Sequence, residues 1–100
     1  MRVLVVGTPR FQIPPDRLPS IVENAIAWQE RYEDKFEAFG LFPGGGGFGV
    51  VKVKDEVELN QLILEMPFSW FSDVEIRPAV EAEVGWQQLQ QAVQAMTAMV

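Results

Sequence analysis

Phe48-Gly49-Val50-Val51-Lys52-Val53-Lys54-Asp55-Glu56-Val57-Glu58-Leu59 passes from strand to helix with no spare residue between them. Its reading decides the fold. Val51 and Val53 fall on one side of an alternating run, and Val50, Lys52 and Lys54 fall on the other, the period-two pattern of a strand with one greasy and one mixed face. Asp55 then opens a capping box with Glu58, three residues on in the electropositive first turn. The helix that follows runs through Leu59, Leu62, Ile63 and Met66 until Pro67 stops it. After the aromatic connection Phe68-Ser69-Trp70-Phe71, residues Ser72 to Ala79 read as a strand with Val74 and Ile76 opposed to Asp73, Glu75 and Arg77. Its Pro78 marks an edge or an end.

Toward the N-terminus, Arg2-Val3-Leu4-Val5-Val6 is a β-branched run ended by Gly7, Thr8 and Pro9, suited to a strand near the middle of a sheet. The stretch Thr8 to Pro15 has no periodicity, and Pro19 and Ser20 fit only the first turn of a helix. The spacing predicts that helix as far as Phe39, with Ile21, Ala25, Trp28, Gln29, Tyr32, Phe36 and Phe39 on one face and Gly40 ending it. Leu41-Phe42-Pro43 leads into Gly44 to Gly47. Gly44, Gly46 and Gly49 match G-x-G-x-x-G, but a strand follows where a dinucleotide fingerprint needs a helix, so a hairpin connection is expected instead.

The element order is β-α-β-β-α-β, the ferredoxin-like pair of split βαβ units, an α+β fold with a four-stranded antiparallel sheet and both helices on one face. Residues 1 to 80 are expected to form this unit, and 81 to 100 a helical extension of the same domain. The uncovered sheet face carries Lys52, Asp73, Glu75 and Arg77 beside apolar residues of the first strand. From Val84 to Val100 there is no charged side chain. Trp86, Leu89, Val93, Met96 and Val100 share a helical face, either packed on their own domain or buried in a subunit contact, where amides are cheaper to desolvate than charges.

The composition narrows the chemistry. Fourteen acidic and eight basic residues give a net charge of -6, which disfavours nucleic acid. No apolar run approaches the roughly 20 residues of a membrane span, no basic residues accompany the last helix, and a cytoplasmic protein is expected. With no His and no Cys, structural zinc sites of the usual kinds, thiol nucleophiles, imidazole triads and the usual haem ligand are excluded, and no metal or cofactor is expected.

Glu58-Leu59-Asn60-Gln61-Leu62, then Met66-Pro67, then Asp73-Val74-Glu75-Ile76-Arg77-Pro78 resembles muconolactone isomerase, of the dimeric α+β barrel superfamily. Pro14-Pro15-Asp16 before the first helix is similar as well. The resemblance implies a sheet that pairs with a second sheet to enclose a barrel, a homodimer or higher homo-oligomer, and a small-molecule cavity serving cofactor-free proton transfer on a lactone or similar carbonyl acid. It departs where that family has bulky aromatic and basic residues in its second strand and this chain has Leu41-Phe42-Pro43 and four glycines.

Asp73 and Glu75 lie two apart and share a strand face. Neighbouring carboxylates supply a general base, with Arg77 or Lys52 stabilising an enolate; the other reading is ion pairing on a wet face, for example Lys52 with Glu75. Tyr32 is a candidate donor in the cavity, or core packing with its hydroxyl at the rim. Trp70 and Phe71 either wall a ligand pocket or plug the core. A non-catalytic ligand-binding or assembly module is the alternative to the isomerase.

Overall fold

The computed structural model describes residues 1–99; Val100, the last member of the apolar stripe, lies outside the described residues. The elements are β1 (Arg2–Pro9), α1 (Leu18–Arg31), β2 (Phe36–Leu41), β3 (Gly47–Lys52), α2 (Glu56–Leu64), β4 (Ser72–Ala79) and α3 (Ala82–Ala98). The strands form one antiparallel sheet in the order β2-β3-β1-β4. That is the ferredoxin-like arrangement.

Alternation sorts the side chains onto two faces. Val3, Val5 and Gly7 of β1 share a face with Val51, Gly49 and Gly47, their partners in β3. Val3, Val51 and Val53 on this face meet Trp28 of α1 and Leu59 and Leu62 of α2 in the buried core. Six buried residues among those described are a small core for a chain that is 48% hydrophobic, and much of the apolar supply stays exposed.

The helix expected to reach Phe39 ends at Arg31, a 3-10 turn occupies Glu33–Lys35, and Phe36–Leu41 is a strand. The cause is a β-bulge. Phe36 pairs with Val51 and Ala38 with Val50, so Glu37 is the extra residue. In a regular strand, positions three apart face opposite ways; the bulge adds one residue and turns Phe36 and Phe39 to the same side. Both rings pack on Trp28, at centroid distances of 5.3 and 6.2 Å. The Tyr32, Phe36, Phe39 spacing therefore imitates a helix face while belonging partly to a bulged strand.

Elsewhere local chemistry acts as expected. Asp55 caps α2 by accepting from the Glu58 N–H at 3.0 Å, and the Glu58 carboxylate accepts from the Lys54 N–H at 3.2 Å. Pro19 sits in the first turn of α1, which has no side-chain cap. Gly44, Gly45 and Gly46 adopt φ values of 86, 123 and 86° in the β2–β3 connection, conformations that only glycine takes readily. The hairpin reading of the glycine run holds.

α3 buries none of its described residues, and with it the molecule measures 64 × 25 × 22 Å. Of the two alternatives for this helix, packing on its own domain is not what the structure shows. Arg2 reaches its start, with Nη2 3.3 Å from Glu81 Oε1.

Candidate functional site: an apolar cavity between the sheet and α1

A cavity of about 710 Å³ lies between α1 and the helix-facing side of the sheet. Its size follows from missing side chains. Gly7 stands on β1 where Val3 and Val5 would be continued, and a Cβ built there meets no atom within 4 Å. At Gly49 the absent side chain is replaced by the Phe36 ring: a Cβ would stand 2.9 Å from Phe36 Cε1. Gly7 thus leaves space, and Gly49 lets an aromatic wall lie against the backbone.

Trp28, Phe36 and Phe39 build that wall, with Phe36 and Phe39 edge to face at 5.2 Å. The Trp28 indole is fixed by donating its Nε1–H to the Leu62 carbonyl of α2 at 3.0 Å. Phe71 closes the side nearest β4, in a 3-10 turn whose carbonyl accepts from the Arg10 and Phe11 N–H groups at 2.8 and 3.2 Å. Phe11 and Leu41 at the mouth are exposed. Apart from Trp28, the hydrogen-bonding side chains among the described lining residues are Gln12, Gln29 and Ser72; none is titratable.

The residues expected to carry chemistry sit elsewhere. Asp73, Glu75 and Arg77 pair with Thr8, Val6 and Leu4, on the opposite face of the sheet from Gly7. Lys52 is on that open face too, opposite Arg2. Glu75 accepts from Arg77 Nε at 2.8 Å, and Asp73 is 3.8 Å from Arg10 Nε. The suggested Lys52–Glu75 pair does not form; Lys52 Nζ lies 3.2 Å from Glu37 Oε1, because the register places Lys52 level with Ala79, four residues beyond Glu75.

Tyr32 packs on Trp28 at 6.1 Å without lining the cavity, and Trp70 is 72% exposed. Phe71 alone of the residues expected at the site is in the lining. Gly7 and Gly49 were missed. Their signal is present: Gly7 ends one valine-rich run and Gly49 precedes another, each at a position of the same parity as the buried valines.

Two carboxylates are strongly engaged, both away from the cavity. Hydrogen bonds from Arg2, and less so from Lys52, hold Glu37 below its ordinary pKa, while Glu37 in turn raises Arg2. Lys35 and the Lys54 N–H do the same to Glu58, and Lys35 is raised in return. These are structural anchors on the sheet edge and helix start.

No protein family and no curated protein matches the chain by sequence. Solved structures do. The chain is similar to muconolactone isomerase, with a TM-score of 0.71 and 14% identity over 81% of this chain and 90% of that one. It is also similar to 5-chloro-2-hydroxyhydroquinone dehydrochlorinase (TftG) from Burkholderia phenoliruptrix AC1100, in a complex with 2,5-dihydroxybenzoquinone, with a TM-score of 0.63 and 16% identity over 83% and 97% of the two chains. At these identities the likeness is one of fold, and the conclusion is that the chain has the α+β fold of muconolactone isomerase and of this dehydrochlorinase, with a long helix, α3, at its end.

Proposed function

We propose that the protein is a small-molecule-binding barrel protomer that takes an apolar ligand between the sheet and α1 and associates with a second copy. The observation that carries the ligand reading is the cavity itself. Its 710 Å³ falls in the range of about 300–1,000 Å³ typical of ligand sites, and its lining is aromatic with a few neutral polar groups. The dehydrochlorinase of like fold, described with a quinone bound, supports a ring compound of similar kind. Association is supported by the small core, the uncovered sheet face and the unburied stripe Trp86, Leu89, Val93 and Met96.

The test uses N-phenyl-1-naphthylamine, a neutral dye that fluoresces in apolar surroundings. Saturable binding at one site per chain, lost in Gly7→Leu, is expected; equal binding by wild type and a folded Gly7→Leu variant overturns the reading.

A second reading, a cofactor-free isomerase with Glu75 as base, Asp73 beside it on the same strand face and Arg77 stabilising the enolate, is supported by the likeness to muconolactone isomerase. It requires a partner sheet to enclose the open face, because no acid or base is among the described lining residues of one chain. Glu75→Gln separates the two readings. It abolishes turnover under the isomerase reading and leaves dye binding unchanged under both.

A further inference from the structure

We infer that the cavity selects uncharged ring compounds and rejects carboxylates, an inference that rests on the ligand-binding reading above. An anion entering this space finds no counter-charge. None of the described lining residues is charged, and the Trp28 N–H is already committed to the Leu62 carbonyl at 3.0 Å. Gln12, Gln29 and Ser72 offer neutral hydrogen bonds, enough to orient a hydroxyl or carbonyl but not to replace the water lost by a carboxylate.

Six of the eight basic side chains are paired with carboxylates that lie outside the cavity lining. Arg2 and Lys52 are held by Glu37 on the far side of the sheet, and Lys35 lies 3.0 Å from Glu58. Arg10 adjoins the mouth in sequence, but its guanidinium is 3.8 Å from Asp73 and 5.2 Å from the centre of the Phe11 ring. The net charge of -6 adds a field that repels anions before they arrive. A lactone acid would therefore bring its carboxylate into this lining unpaired.

The preference for a ring follows from shape. Phe36 and Phe39 stand edge to face beside Trp28, presenting faces and edges on which an aromatic or quinonoid ring packs with offset or T-shaped geometry. On the same sheet face, Gly7 leaves bare backbone with open space above it, room for a flat ring to lie against the strand.

The experiment compares two ligands of one ring system. At pH 7, 2-naphthol (neutral) and 2-naphthoate (anionic) compete for bound N-phenyl-1-naphthylamine on the full chain, with Gly7→Leu and the milder Gly7→Ala as cavity controls checked for folding by circular dichroism. The expected result is displacement by 2-naphthol at a concentration at least tenfold lower than 2-naphthoate requires, with dye binding lost in Gly7→Leu and weakened in Gly7→Ala. A ratio below tenfold, or no displacement by 2-naphthol, overturns the charge selection while dye binding that depends on Gly7 leaves the cavity reading standing. Dye binding indifferent to both substitutions overturns the cavity reading, and this inference with it.

Discussion

Arg2 and Lys52 are direct partners across β1 and β3, two cations side by side, and both reach the same oxygen, Glu37 Oε1, at 2.8 and 3.2 Å. Like charges directly opposite each other in a sheet are destabilising. The bulged residue of β2 supplies the anion that makes this pair tolerable. Glu37→Gln is expected to lower the melting temperature, by more at low ionic strength than at high, because exposed charges are screened by salt. Adding Lys52→Gln should restore part of the loss. Thermal melts at two salt concentrations check this, and a salt-independent effect would contradict the charge argument.

Gly49 and Gly7 lie on the same face of adjacent strands but answer differently to an added methyl. Gly49→Ala forces a Cβ against the Phe36 ring, which is wedged between Trp28 and Phe39, and is expected to cost about 1–3 kcal/mol. Gly7→Ala enters open space and should stay within about 0.5 kcal/mol of wild type. Urea unfolding of the two variants measures the difference.

Trp28 serves α2 as well as the cavity wall. The Leu62 carbonyl lies in the last turn of α2, where the Met66 N–H that would normally answer it bonds Ile63 instead at 3.1 Å. The indole N–H takes its place. Trp28→Phe keeps an aromatic ring but leaves that carbonyl unanswered, and a loss of about 1–3 kcal/mol is expected in denaturant unfolding.

Stability should fall in acid. Glu37 and Glu58 both have folded-state pKa values below their ordinary ones, from hydrogen bonds by Arg2 and Lys35 respectively. A depressed carboxylate contributes stability that is fully present above the unfolded pKa and is lost as pH falls through the folded one. The melting temperature should therefore hold near neutral pH and drop below the ordinary carboxylate range. Glu58→Gln should melt lower than wild type at neutral pH, with the two curves converging in acid. The raised values of Arg2 and Lys35 contribute stability that is present through the neutral range and is lost only as pH rises into the strongly alkaline range.

Light scattering at micromolar concentration should return at least twice the protomer mass of 11.3 kDa. Charging the α3 stripe with the double substitution Leu89→Glu and Val93→Glu tests whether that helix takes part, by lowering the assembled mass or leaving it unchanged. A wild-type protomer mass would remove the case for association.

The sequence displayed the fold through features that are local and chemical: the capping box at Asp55 and Glu58, the alternation of Val51 and Val53 with Lys52, the stop at Pro67. It concealed β2, because a bulge at Glu37 gives Phe36 and Phe39 a spacing that α-helices also use. The open sheet face was legible for the same reason that the core was: strict alternation placed Lys52, Asp73, Glu75 and Arg77 together on it. The cavity was not, since it is made by what Gly7 lacks, and a search for groups that do chemistry passes over a residue with no side chain.

The projection of α3 also changes how the molecule travels. A compact chain of this length has a radius of gyration of about 13 Å, whereas this one has 17.6 Å. An isolated protomer would tumble and diffuse as a larger body, and a gel-filtration column calibrated with spheres would assign it too high a mass. Retention volume alone would then make a lone chain pass for a pair, so that only a shape-independent mass distinguishes an elongated protomer from a true assembly.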